Sequence, residues 1–69
     1  MLDIDWSKVP EGYDWVAQDE YGCVYVFDHE PFLFEGEFGV WDSFSGCVLL
    51  RHDKPNENWR NTLTKRPEK

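Results

Sequence analysis

The chain has 69 residues, 41% apolar and 17% aromatic, with 14 acidic against 7 basic side chains and a net charge of −7. That length fits one small domain, and the aromatic content supplies buried area that so short a core otherwise lacks. Composition argues against disorder, no apolar run approaches the ~20 residues of a membrane span, and so acidic a surface repels nucleic acid and anionic lipid.

Residues 1–12 read as an N-terminal arm closed by a turn from Pro10 to Gly12. Tyr13 to Gln18 alternates Tyr13, Trp15 and Ala17 with Asp14, Val16 and Gln18, which predicts a strand. Asp19-Glu20-Tyr21-Gly22 supplies a turn, with Gly22 free to take positive φ. Cys23 to Phe27 is apolar on both faces and predicts a central strand. Asp28 to Pro31 breaks it, and Phe32 to Glu37 fits either an edge strand or an exposed loop. Phe38 to Asp42 and Cys47 to Arg51 predict two further strands around a turn at Ser43–Gly46. Beyond Pro55, Asn56 or Asn58 can cap a short helix carrying Trp59 and Leu63, and Pro67 ends it. The expected fold is mainly β: an antiparallel meander of three to four strands with a short C-terminal helix or turn. It forms one domain over 1–69, with the 1–12 arm and the 64–69 tail flexible. Trp6, Trp15, Tyr25, Phe27, Trp41, Val48 and Leu50 are the expected core.

The frame Trp6, Pro10, Gly12, Trp15, Asp19-x-x-Gly22 and Tyr25, closed by Asn58-Trp59-Arg60-x-Thr62-Leu63-x-x-Arg66-Pro67, resembles a set of very small phage and prophage proteins. The resemblance implies a phage origin and assigns no chemistry to any residue.

Cys23, His29, Cys47 and His52 form the one metal-like set. A tetrahedral site needs four ligands within about 2.0–2.3 Å of one point. Each Cys opens an expected strand and each His follows its end, roughly 20 Å away, so no metal or other cofactor is expected. In a meander the two thiols stand about 9–10 Å apart with a strand between them, beyond disulfide reach. Cys47, His52 and Asp53 are the nearest approach to a nucleophile set, but His52 and Asp53 are neighbours and no nucleophile elbow or oxyanion loop accompanies them. The chain therefore reads as a non-enzyme.

Charge is distributed unevenly. Residues 1–49 hold eleven carboxylates against Lys8, whereas residues 50–69 hold six cations against three carboxylates. Asp3/Asp5, Asp28/Glu30 and Glu35/Glu37 are i, i+2 pairs, which an extended chain places on one face roughly 6.5–7 Å apart, near the spacing of phosphates along a nucleic-acid strand. Phe32-Leu33-Phe34 beside them is either a strand completing the core, which so many aromatics favour, or an exposed anchor, and Phe44 in its turn is the better candidate for an exposed aromatic. The expected function is a phage-type module that binds a host protein in the host cytoplasm. It covers a basic or nucleic-acid-binding surface, such as that of a defence nuclease, and inhibits it. Asp28, Glu30, Glu35, Glu37, Phe34 and Phe44 are the expected binding residues, and neither nucleic acid nor membrane is an expected partner. The alternatives are a structural, self-assembling accessory protein (a homodimer joining acidic body to basic tail) and, further off, a zinc or small-ligand binder.

Overall fold

A computed structural model describes residues 2–35 and 39–67 of the chain. Among the described residues six strands form: β1 Trp15–Gln18, β2 Cys23–Phe27, β3 Phe32–Glu35, β4 Gly39–Asp42, β5 Cys47–His52 and β6 Thr64–Lys65. All pairings are antiparallel, so the molecule is a small antiparallel β protein, and its described helical segments are the short 3-10 turns Trp6–Lys8 and Trp59–Asn61. Of the expected Phe38–Asp42 strand, Gly39–Asp42 is present and Phe38 lies outside the described residues.

The strands do not follow chain order as in a simple meander. A four-stranded sheet runs β5-β2-β1-β6, and β3 and β4 form a separate hairpin between β2 and β5. β2 is central, as its two-sided apolar pattern requires. The β1–β2 ladder pairs Trp15 with Phe27 and Val16 with Val26. Side chains alternate, so Val16, Val24 and Val26 share one face while Ala17, Tyr25 and Phe27 share the other. Leu2, Ile4, Trp6, Tyr13 and Leu50 pack on the first face, around a cluster of Val9, Val16, Val24 and Val26. β4 and the Trp59 turn pack against β1 on the second face, where Ala17 and Phe27 are buried.

Several expected core residues lie elsewhere. Trp6, Trp15, Tyr25, Trp41 and Leu50 are half-buried, and Val48 is 44% exposed because β5 stands at the sheet edge with nothing described beyond it. The buried tryptophan is Trp59. Its turn is shaped by Asn56, whose side-chain oxygen accepts the Asn58 amide at 2.9 Å, and the Trp41 indole donates to the Trp59 carbonyl at 3.2 Å. Behind it the Thr62 hydroxyl donates to the same carbonyl at 2.7 Å and accepts the Gln18 amide at 2.9 Å. Buried Gln18 is satisfied in turn by the Gly22 carbonyl at 3.1 Å and by the Asn56 amide at 3.1 Å.

The C-terminal segment is drawn onto the body. β6 pairs with β1, and the Arg66 amide donates to the Asp14 carbonyl at 2.7 Å. The Arg66 guanidinium donates to the Asp14 carboxylate and the Tyr13 carbonyl, both at 2.9 Å, and lies 4.9 Å from the Trp6 ring centre. Lys65 sits over Trp15 at 5.6 Å and Arg60 over Trp59 at 4.6 Å. Three cations of the basic tail are thus placed on tryptophans of the same molecule.

Candidate functional site

The β2–β5 register builds one corner of the molecule. Phe27, the last residue of β2, pairs with Cys47, the first of β5, so the Ser43–Gly46 turn preceding β5 comes to rest beside Asp28. The Ser45 hydroxyl donates to one Asp28 oxygen at 2.7 Å, and His29 Nδ1 lies 3.1 Å from the other. These two bonds, the Ser45 one foremost, hold the Asp28 carboxyl below its ordinary pKa because they favour the ionised form. The turn is closed further by the Ser43 amide on the Asp42 carboxylate at 2.7 Å and the Ser45 amide on the Ser43 hydroxyl at 3.1 Å.

That turn holds Phe44 out from the surface. Its side chain is 100% exposed even though its ring centre lies 5.1 Å from that of Phe32, which is itself 38% exposed. His29, Glu30, Ser43, Phe44 and Ser45 line a shallow hollow of about 280 Å³. Asp28, Glu30 and Phe44 therefore share one corner, joined by Asp42, whose position pairs with Phe32 across the hairpin. Asp28 and Glu30 are not an extended same-face pair, because the chain bends at Asp28–His29. Ser45 and His29 were not legible as members from the sequence, whereas Phe32 stood among the candidate aromatic anchors. A serine in a turn and an aspartate just past a strand are joined here by pairing that no local pattern reports.

The remaining expected residues lie apart. In the β3–β4 hairpin Phe34 pairs with Val40 and Glu35 with Gly39, at the end opposite the Phe32–Asp42 pair. Glu35 is three positions from Phe32, about 10 Å along the strand. Glu37 lies outside the described residues. Asp5 of the Asp3/Asp5 pair serves local structure. It caps the first 3-10 turn by accepting the Ser7 hydroxyl at 2.6 Å and amide at 3.1 Å, which depresses its pKa.

The thiols and histidines also take positions other than those a meander implies. β2 and β5 are direct antiparallel neighbours, so Cys23 stands opposite His52 while Cys47 stands opposite Phe27 at the far end of the ladder. Both cysteines are free, being separated along the ladder rather than across an intervening strand. Among the described residues no group of three or more His, Cys, Asp and Glu converges as a metal site requires. Cys47 and His52 are the two ends of one strand, about 16 Å apart, so they form no nucleophile–base pair. Ser45, Asp28 and His29 are close, but the serine donates to the carboxylate rather than to the imidazole, which leaves its hydroxyl unactivated. Burial, and next the neighbouring Cys23, push the Tyr25 phenol above its ordinary pKa and keep it neutral.

Larger hollows of about 510 and 600 Å³ are open surface depressions along residues 52–60, lined by Glu20, Trp59 and Arg60 in one and by His52, Asp53 and Lys54 in the other. Comparison with family models, curated proteins and solved structures finds no match to this chain.

Proposed function

We propose that this chain is a small acidic protein-binding module of phage type. It covers a basic, nucleic-acid-binding surface of a host protein and inhibits it, and it carries out no catalysis of its own. The observation that supports the reading is the disposition of charge. Lys65, Arg66 and Arg60 lie over Trp15, Trp6 and Trp59 of their own molecule, whereas the carboxylates of Asp3, Glu11, Glu30 and Asp42 are exposed. Exposed carboxylates dominate the surface of a chain of −7, and such a field accelerates encounter with a cationic protein. The Asp28–Phe44 corner supplies the anchor, an exposed aromatic among Asp28, Glu30 and Asp42 that fits an apolar pocket rimmed by cations.

The self-assembly reading in which acidic body meets basic tail is weakened at Arg66, whose guanidinium is already paired with Asp14 of its own molecule. The test is affinity capture from bacterial host lysate at about 0.1 M and about 1 M salt, followed by competition of the captured protein against duplex DNA. A partner held at low salt, released at high salt and displaced from DNA by this chain supports the proposal. A partner that binds DNA and this chain together contradicts it.

A further inference from the structure

The sheet treats its two edges differently. The β6 edge is two residues long, and the next residue, Arg66, is tied to Asp14 and Tyr13. The β5 edge is six residues long, and its first four residues, Cys47–Leu50, contain no proline and no charged side chain, with Arg51 and His52 following beyond the bulge. Among the described strands none pairs with its outer side. Val48 and Leu49, which alternation sends to opposite faces, are 44% and 53% exposed, and Cys47 is exposed. Unprotected apolar edges of this kind are templates for strand addition, while short or charged ones are not.

We propose that β5 is a self-association edge, to which a second copy of this chain adds its own β5 antiparallel, joining two four-stranded sheets into one. The self-complementarity of the segment argues for a second copy. Cys47–Leu50 carries no charge in a chain of −7, so this is where two copies approach with least repulsion, and an antiparallel two-fold pairing makes the same segment serve both sides. The register follows from the bulge. Tyr25 pairs with Leu49 but Val24 with Arg51, so Leu50 is an extra residue that bends β5 and leaves Cys47–Leu49 as its straight stretch. Centred there, Val48 faces Val48 of the second copy and Cys47 faces Leu49, apolar against apolar at all three positions. Arg51 then falls opposite Ser45 rather than opposite a second cation.

So short an edge buries less than the roughly 800 Å² per partner of a standard interface, so the dimer forms only at high protein concentration. Its salt dependence is diagnostic. Screening relieves the repulsion between two −7 chains and tightens this dimer, whereas body-to-tail association would loosen. Sedimentation equilibrium from about 10 μM to about 1 mM, in about 0.1 M and about 1 M sodium chloride, should show the mass rising from 8.2 kDa toward twice that value and stopping, with the midpoint at least threefold lower in the higher salt. Leu49→Lys, at an exposed position, should melt like the parent and stay monomeric. A Val48→Cys variant carrying Cys23→Ser and Cys47→Ser should oxidise to a covalent dimer, because the Cα atoms of facing antiparallel residues stand about 4.5–5.5 Å apart, within the span a disulfide bridges. Mass that stays at the monomer value, growth beyond a dimer, weakening by salt, Leu49→Lys association equal to the parent's, or a Val48→Cys chain that does not cross-link would each overturn the proposal.

Discussion

Two glycines with nearly the same backbone angle separate conformational strain from steric overlap. Gly12 and Gly22 have φ of +92° and +97°, a region L side chains rarely adopt. A Cβ on Gly12 meets open space, whereas one on Gly22 would overlap the carbonyl of Asp53 and the backbone of Lys54. Gly12→Ala should therefore lower stability by about 1–2 kcal/mol. Gly22→Ala adds displacement of the 53–54 backbone, bonded here through the Asp53 amide to the Gly22 carbonyl at 2.9 Å, and should cost about 3 kcal/mol or more. Urea denaturation of the pair checks both, and equal losses would show that strain alone matters. At Asp28 the sign of the pH effect is fixed by the bonds it accepts. Its folded pKa lies below the ordinary 3.8, so the stabilisation is complete above that value and is lost as pH falls through the lowered one. The parent's melting advantage over Ser45→Ala should be present at about pH 6 and shrink as the pH falls below the ordinary carboxylate range. An advantage that persists in acid would mean the Ser45–Asp28 bond is not what holds the turn.

At the scale of elements, the C-terminal segment organises the second face through Trp59. Trp59→Ala should cost about 3–5 kcal/mol, and Trp15→Ala and Trp41→Ala, at half-buried positions, measurably less. Arg66→Ala removes the guanidinium from Asp14, the Tyr13 carbonyl and the Trp6 ring, and should cost about 2 kcal/mol. Arg66→Lys should restore little, because an ammonium cannot reproduce the planar fork. Thermal unfolding orders these variants, and a Trp41→Ala loss larger than that of Trp59→Ala would contradict the packing described. These elements also mark how far the sequence could be read. β1, β2 and β5 were legible because alternation and β-branched residues report a strand locally. That β5 pairs with β2 across the β3–β4 hairpin was not, and the same gap misassigned Val48 to the core and put a strand between the two cysteines. β6 is too short to leave a periodic signal, and the cation–tryptophan contacts join residues up to 60 positions apart. The candidate corner was half legible. Asp28, Glu30 and Phe44 stood out by type, while Ser45 and His29 took their places only through the ladder. Trp6, Gly22, Trp59, Thr62 and Arg66, which stood out in the sequence as a frame of aromatics and turns, build the scaffold.

For the whole molecule, the internal engagement of Arg60, Lys65 and Arg66 ties stability to surface charge. Removing all three cations alters the fold as well as the field, so carboxylate reversal is the cleaner probe of binding. Glu30→Lys combined with Asp42→Lys changes exposed positions at the corner. Steering acts on the association rate, so a partner captured at low salt should associate with the double variant at least tenfold more slowly. Phe44→Ala should mainly hasten dissociation, because an anchor leaves its pocket only in the unbinding step. The direct measurement is the association rate of parent and double variant with that partner at about 0.1 M and about 1 M salt, where the Debye length falls from about 10 Å to about 3 Å. The gap should be tenfold or greater at low salt and close at high salt, with the double variant folded and melting only slightly below the parent because Asp42 gives up its bond to the Ser43 amide. Equal rates at low salt would contradict it.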